Sequence, residues 1–228
     1  LRFEDGDNPY LSRTPSSTGN RRTFTVSCWV KRGNLNVTSY IFKANTGTGD
    51  GLAFRDSTTA TDPFTLYWFF SDTAQGSITT NAVFRDTTNW YHVVLAVDTT
   101  QATSSNRVKI YVNGTQQSFD IANYPSQNYD STVNTQVAHL IGGYASGNSH
   151  FDGYLAEYNF IDGTALDPTS FGETKNGVWI PKAISGLTYG TNGFRLTFAD
   201  SSSLGDDTSG NGNDFTSSGL ASTDVVLD

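Results

Sequence analysis

The residues best suited to chemistry in this chain are acidic and amide side chains near its C-terminal end. Asp200, Asp206, Asp207, Asn211, Asn213 and Asp214 fall within fifteen consecutive positions. Calcium takes about six to eight oxygen ligands from carboxylates, carbonyls and water. The Asn211-Gly212-Asn213 turn lets backbone carbonyls face a cation. The spacing is not that of an EF-hand loop. The same residues also suit a polar turn in which Asp and Asn side chains cap their own backbone. Glu157 stands inside a largely apolar run from Tyr154 to Ile161. A carboxylate there is costly unless it is hydrogen-bonded or binds a cation.

A second kind of chemistry is sugar recognition. It combines an aromatic platform for the apolar sugar face with polar groups for the hydroxyls. The segments Asn123 to Asp130 and Gly143 to His150 carry that mixture. Tyr124, Tyr129 and Tyr144 are the candidate platforms, with Asn128, Asn148 and His150 as polar neighbours. In the competing reading these tyrosines pack down and cover the edge of a sheet.

Catalysis has the weakest footing. Glycoside hydrolysis uses two carboxylates flanking the scissile bond. The glutamates are Glu4, Glu157 and Glu173, and none belongs to a strand with carboxylates at alternate positions. His92, His139 and His150 are isolated, and no Ser-His-Asp or Cys-His set is legible. No Gly-rich phosphate loop with lysine occurs. The expectation is a non-enzyme with no catalytic residues.

The elements that must position these groups are strands. Phe151 to Phe171 reads as a strand, a turn and a short helical segment. Alternation puts Tyr154, Ala156, Tyr158 and Phe160 on one face and Leu155, Glu157, Asn159 and Ile161 on the other. Asp167-Pro168-Thr169 reads as a cap followed by proline at the first helical position. Asn89 to Asp98 is a strongly β-forming run with two largely apolar faces. Asn113-Gly114 between Arg107–Val112 and Thr115–Phe119 is a hairpin signal. Cys28, the single cysteine, alternates with Phe24, Val26 and Val30, which predicts a buried, inert thiol.

The Phe151–Asp162 strand, Trp90-Tyr91-His92-Val93 and Tyr111-Val112-Asn113-Gly114 together resemble the closing and middle strands of laminin-G-like, concanavalin-A-like jelly rolls. The resemblance implies an all-β fold: one antiparallel two-sheet jelly-roll β-sandwich over residues 1–228, with 175–228 a C-terminal extension completing or flanking it. It also implies a calcium site. The stretch from Asp207 to Asn213 resembles the Asp-x-Ser-Gly-Asn-Gly-Asn loop that holds calcium in such relatives, with an acidic residue of the closing strand. Asp207 and Glu157 match those positions, joined by Asn211, Asn213 and Asp214, so the two carboxylates should converge across fifty positions of sequence.

The motifs Tyr10–Ser17, Phe24–Arg32, Phe151–Glu173, Gly177–Lys182 and Asp207–Asp214, in that order, also resemble jelly-roll domains of bacteriophage virion proteins of the tail-fibre kind. That implies a virion appendage or capsid surface. Its partners would be host-surface carbohydrate or other virion proteins, with a homo-oligomer as a further option. Two roles stay open: adhesion to a host glycan, or structural decoration and cementing of a capsid or tail.

Composition agrees with a sandwich. The chain has 228 residues, 36% hydrophobic and 13% aromatic, with 22 glycines punctuating short segments. Helical periodicity is not sustained over three turns. Net charge is −8 and the pI is about 4.7. An acidic chain without a basic stripe is a poor partner for nucleic acid or anionic membranes. No apolar run reaches membrane-spanning length, so no membrane insertion is expected. The start at Leu1 and the absence of methionine point to part of a longer protein. The single cysteine allows no internal disulfide and leans toward a bacterial or viral source.

Overall fold

The computed structural model describes residues 1–45, 47–56, 63–70, 76–143 and 149–226. Among them two antiparallel sheets enclose a shared core, and helix appears only as four 3-10 turns of three residues each. One sheet runs β1 (Arg2–Phe3), β13 (Gly153–Asp162), β3 (Thr23–Arg32), β8 (Tyr91–Asp98), β9 (Val108–Val112) and β10 (Thr115–Gln116). A further strand, β16 (Phe194–Leu196), also pairs with β13. The other sheet runs β11 (Phe119–Ala122), β7 (Ser77–Val83), β6 (Thr65–Phe69), β5 (Gly51–Phe54), β4 (Ser39–Ala44), β12 (His139–Ile141), β2 (Tyr10–Arg13) and β17 (Thr216–Ser218). A separate hairpin joins β14 (Gly172–Lys175) to β15 (Val178–Pro181). No helix is long and apolar enough to cross a membrane among the described residues.

Strict alternation builds the central strands. In β3, Phe24, Val26, Cys28 and Val30 enter the core, as do Val93, Leu95 and Val97 of β8. Aromatic rings then span the sandwich. Phe160 lies 5.9 Å from Phe24, 5.9 Å from Phe42 and 5.5 Å from Phe194. Phe194 in turn meets Phe215 at 4.6 Å. Each buried ring of this size contributes roughly 1.5–3 kcal/mol. Phe194, Leu196, Phe198, Leu204 and Phe215 belong to this same core, so the C-terminal strands pack on the main sandwich.

The expected alternation of β13 breaks midway. Its register with β3 shifts between Ala156 and Asn159, and Glu157 takes a left-handed φ of 47°. A bulge inserts a residue and reverses the parity of the strand beyond it. Tyr158 and Phe160 therefore join Leu155 in the core, rather than sharing a face with Tyr154. Ile161 emerges on the outer side, where it packs with Val94, Phe171 and Tyr189. This small outer core also holds Leu166, Ile184 and Leu187. The chain between β13 and β16 thus lies across the outer face of the first sheet. Asp167 accepts from the Thr169 amide at 2.8 Å and caps the turn beginning at Pro168.

Candidate functional site

Beside that outer core the same sheet face opens into a cleft of about 560 Å³, lined by Trp29, Trp90, Tyr91, Trp179 and Val178 with Asp86, Asn89 and Asn113. Three regions build it. β3 supplies Trp29, which alternates out of step with the core residues Cys28 and Val30. The entry to β8 supplies Trp90 and Tyr91. The β14–β15 hairpin supplies Trp179 and the exposed Val178.

His92 holds the hairpin in place. Its ring stacks on Trp29 at 4.9 Å and on Trp179 at 5.9 Å. The Trp179 indole N–H donates to His92 Nδ1 at 3.0 Å. An indole N–H only donates, so Nδ1 is bare and the imidazole proton sits on Nε2, facing Ser27 Oγ at 3.0 Å. Burial pushes the His92 pKa down to about 4, which keeps the ring neutral. Two glycines let Trp179 settle. A Cβ on Gly114 would lie 2.6 Å from the indole, and one on Gly172 2.5 Å from it.

The polar rim has both donors and acceptors to offer. Asn113 Oδ1 accepts from the His92 amide at 2.7 Å, which leaves its amide nitrogen without a partner among the described residues. Tyr91 accepts from the Asp86 amide at 3.1 Å and keeps its own hydroxyl proton. Asp86 takes the Thr88 amide at 2.7 Å, the Thr88 hydroxyl at 2.6 Å and the Asn89 side chain. Hydrogen bonds from Thr88 and then Asn89 hold its carboxyl down to about 2. Asn89 donates in that pair and keeps its oxygen as an acceptor.

The loops expected to bind sugar are placed differently. Tyr129 donates its hydroxyl to the fully buried Asp50 at 3.0 Å, and its ring packs on Phe70 at 5.6 Å. His150 is 4% exposed and stacked on Tyr10. The Tyr129 hydroxyl and the His150 ring are thus both engaged by neighbouring groups of the domain. Tyr124 is half-buried and meets Phe119 edge-on at 6.3 Å. Asn128 is an exposed turn residue with φ 62°, its amide bonded to Thr99 O. Tyr144 and Asn148 lie outside the described residues. Sequence reasoning missed the tryptophans. The usable signal was Trp29 on the outward parity of a core strand, and an apolar Val178-Trp179 pair after a turn.

Glu157 and Asp207 do converge, but around an arginine. Arg195 Nη2 lies 2.8 Å from Glu157 Oε2, and the Arg195 amide donates to Asp207 Oδ1 at 2.9 Å. Asp207 also accepts from the Ser209 amide, the Ser209 hydroxyl and the Asn213 amide, each at 2.8–2.9 Å. Asp214 Oδ1 accepts from the Asp207 amide. Asn211 and Asn213 aim their amide nitrogens at the carbonyls of Gly190, Thr191 and Gly193, while Arg13 donates to Asn213 Oδ1. These groups do not fit a calcium ion. Both Asp207 oxygens and one oxygen each of Glu157 and Asp214 already face N–H or O–H donors, and the carbonyls of Gly190, Thr191 and Gly193 face amide nitrogens. Among the described residues no group of three or more His, Cys, Asp or Glu could hold a metal.

Known proteins share this architecture. A heptameric SAP-like pentraxin from Limulus polyphemus superposes with a TM-score of 0.50 at 19% identity, over 72% of this chain and 74% of that one. A Bacteroides ovatus protein described as carbohydrate-binding superposes with a TM-score of 0.55 at 17% identity, over 95% of this chain and 56% of that one. At these identities the likeness is one of fold. No curated protein sequence matches the chain. Residues 5–170 match the laminin-G-type family profile of the concanavalin A-like lectin/glucanases superfamily, and the chain belongs to that family.

Proposed function

We propose that this chain is a carbohydrate-binding domain that acts without catalysis, and that its site is the cleft between Trp90 and Trp179. The observation that carries this is the pairing of indole surface with unspent polar groups of both kinds. Sugar C–H faces stack on aromatic rings, and sugar hydroxyls both donate and accept. The Asn113 amide and Tyr91 hydroxyl can donate, while Asn89 and Asp86 can accept. Asp86 is the one carboxylate among the described lining residues, whereas hydrolysis by a carboxylate pair needs two. The fold shared with the Bacteroides ovatus protein described as carbohydrate-binding supports the same conclusion. The resemblance of the motif order to that of bacteriophage virion proteins supports a finer one: an appendage domain that attaches a virion to glycan on its bacterial host.

The test is binding of the folded domain to a glycan array and to host cells. Trp90→Ala and Trp179→Ala should each weaken binding about tenfold, the equivalent of one aromatic contact of ~1.4 kcal/mol. Tyr124→Ala should leave it unchanged. Binding that ignores both tryptophans, or no binding to any glycan, defeats the proposal.

A further inference from the structure

The charge of the cleft says which sugars it takes. We propose that it selects uncharged glycans, and that Asp86 sets this selectivity by repelling sugars that carry carboxylate or sulfate. This rests on the carbohydrate reading above and narrows it. Asp86 is the one ionised group among the described residues lining the cleft, and no lysine or arginine lines it. The carboxylate is pinned by Thr88 and Asn89 rather than neutralised by a cation. The imidazole beneath the indoles, His92, is enclosed between Trp29 and Trp179 and offers no positive charge to a ligand. Lys31 lies two residues beyond Trp29 on the same face of β3, but its ammonium sits over the Tyr154 ring, 5.7 Å from its centre. The net charge of −8 adds to the repulsion of anions at a distance.

The experiment compares neutral hexose and N-acetylhexosamine oligosaccharides with sialylated and uronate-bearing counterparts of equal length, at low salt. Neutral sugars should bind more tightly. Asp86→Asn keeps acceptor oxygen for Thr88 and removes the charge. It should narrow the neutral-to-anionic ratio by about two- to fourfold, the size of one charge–charge term at ~5–10 Å in water. Added salt should narrow it likewise. An unchanged ratio in Asp86→Asn, or tighter Trp179-dependent binding of anionic sugars, overturns this inference and leaves the carbohydrate reading standing. Absence of any Trp179-dependent binding overturns both.

A separate observation concerns the clamp between β13 and the C-terminal loop. We infer that Arg195, backed by Arg13, is a built-in cation that does there what a bound calcium would do. Arg195 reaches Glu157 on the β13 bulge through Nη2 at 2.8 Å and Nε at 3.3 Å. Its backbone amide and carbonyl hold Asp207 and Thr208. Arg13 approaches the loop from β2 through Asn213. The Arg195 guanidinium thus pairs with Glu157 while its main chain holds Asp207, and the Arg13 guanidinium, bonded to Asn213, lies in the field of Asp207 and Asp214, so the loop closes without an external ion.

Melting of the wild-type domain in chelator and in millimolar calcium should give the same temperature, and calcium titration calorimetry should show no saturable heat. Arg195→Met should lower the melting temperature by about 2–4 °C, with Arg195→Lys recovering part of the loss. A lower melting temperature of the wild type in chelator, or a calcium isotherm, contradicts the inference. So does an Arg195→Met domain as stable as its parent. The chelator comparison decides the matter even if that variant fails to fold.

Discussion

Acid should unfold this protein through two buried histidines. His92 and His139 are 1% and 3% exposed. Each has a ring nitrogen facing a donor that cannot reverse: Trp179 Nε1–H for His92, and the Asn134 amide for His139, both at 3.0 Å. Adding a proton sets N–H against N–H and charges a buried ring. Burial pushes both pKa values from 6.5 down to about 4. A depressed histidine pKa means the unfolded chain binds the proton first. The stability is then fully present above about pH 6.5, falls as pH drops, and is lost by about pH 4. A gap of roughly two and a half pH units corresponds to about 3 kcal/mol for each ring. Domains of this kind have only about 5–15 kcal/mol in total.

The assay is urea unfolding at a series of pH values from about 7.5 to 4.5. Near pH 5 the stability should fall with a slope approaching two protons, about 2.7 kcal/mol per pH unit. His92→Phe should remove one proton from that slope. In the domain that remains folded His92 takes up its proton only near pH 4, so glycan binding should hold down to about that pH and fade there, as the added proton displaces the Trp179 hydrogen bond. A urea midpoint that stays level across that range refutes the reasoning.

Four substitutions probe the supports around the site and the core beneath it. Tyr129→Phe removes a donor from the buried Asp50 carboxylate and should cost about 1–3 kcal/mol by urea titration, with glycan binding intact. Gly114→Ala meets both a φ of 77° and the Trp179 ring; it should cost upwards of ~1 kcal/mol and weaken glycan binding. Gly163→Ala, at φ 95° with open space around it, should show a stability loss alone. Phe160→Ala empties the centre of the aromatic ladder and should cost about 3–5 kcal/mol, seen as a lower melting temperature.

The sandwich was legible wherever one residue's neighbours decide its place. Alternation in β3 and β8 marks the core side of each strand, and Asn113-Gly114, with φ values of 48° and 77°, makes the β9–β10 hairpin that those residue types favour. The β13 bulge was not legible, because nothing in Ala156-Glu157-Tyr158 announces that Glu157 will turn left-handed. That choice depends on β16 and on Arg195, 38 residues away. The cleft was hidden for the same reason. Trp179 meets His92 across 87 residues, and only the fold of the chain after β13 brings them together. The tyrosine-rich loops have a sugar-site composition, but Tyr129 is drawn inward by Asp50, since a buried carboxylate must be hydrogen-bonded.

The most direct test of the cleft is a nuclear magnetic resonance titration that monitors the indole N–H signals of the 4 tryptophans. The ligand is the tightest-binding neutral oligosaccharide from the array. Trp90 and Trp179 should shift as the sugar is added, with Trp179 reporting through its bond to His92. Trp68, 2% exposed inside the sandwich, should stay still. Sugar binding that leaves the Trp90 and Trp179 signals unmoved contradicts the account and sends the search for the site elsewhere on the molecule.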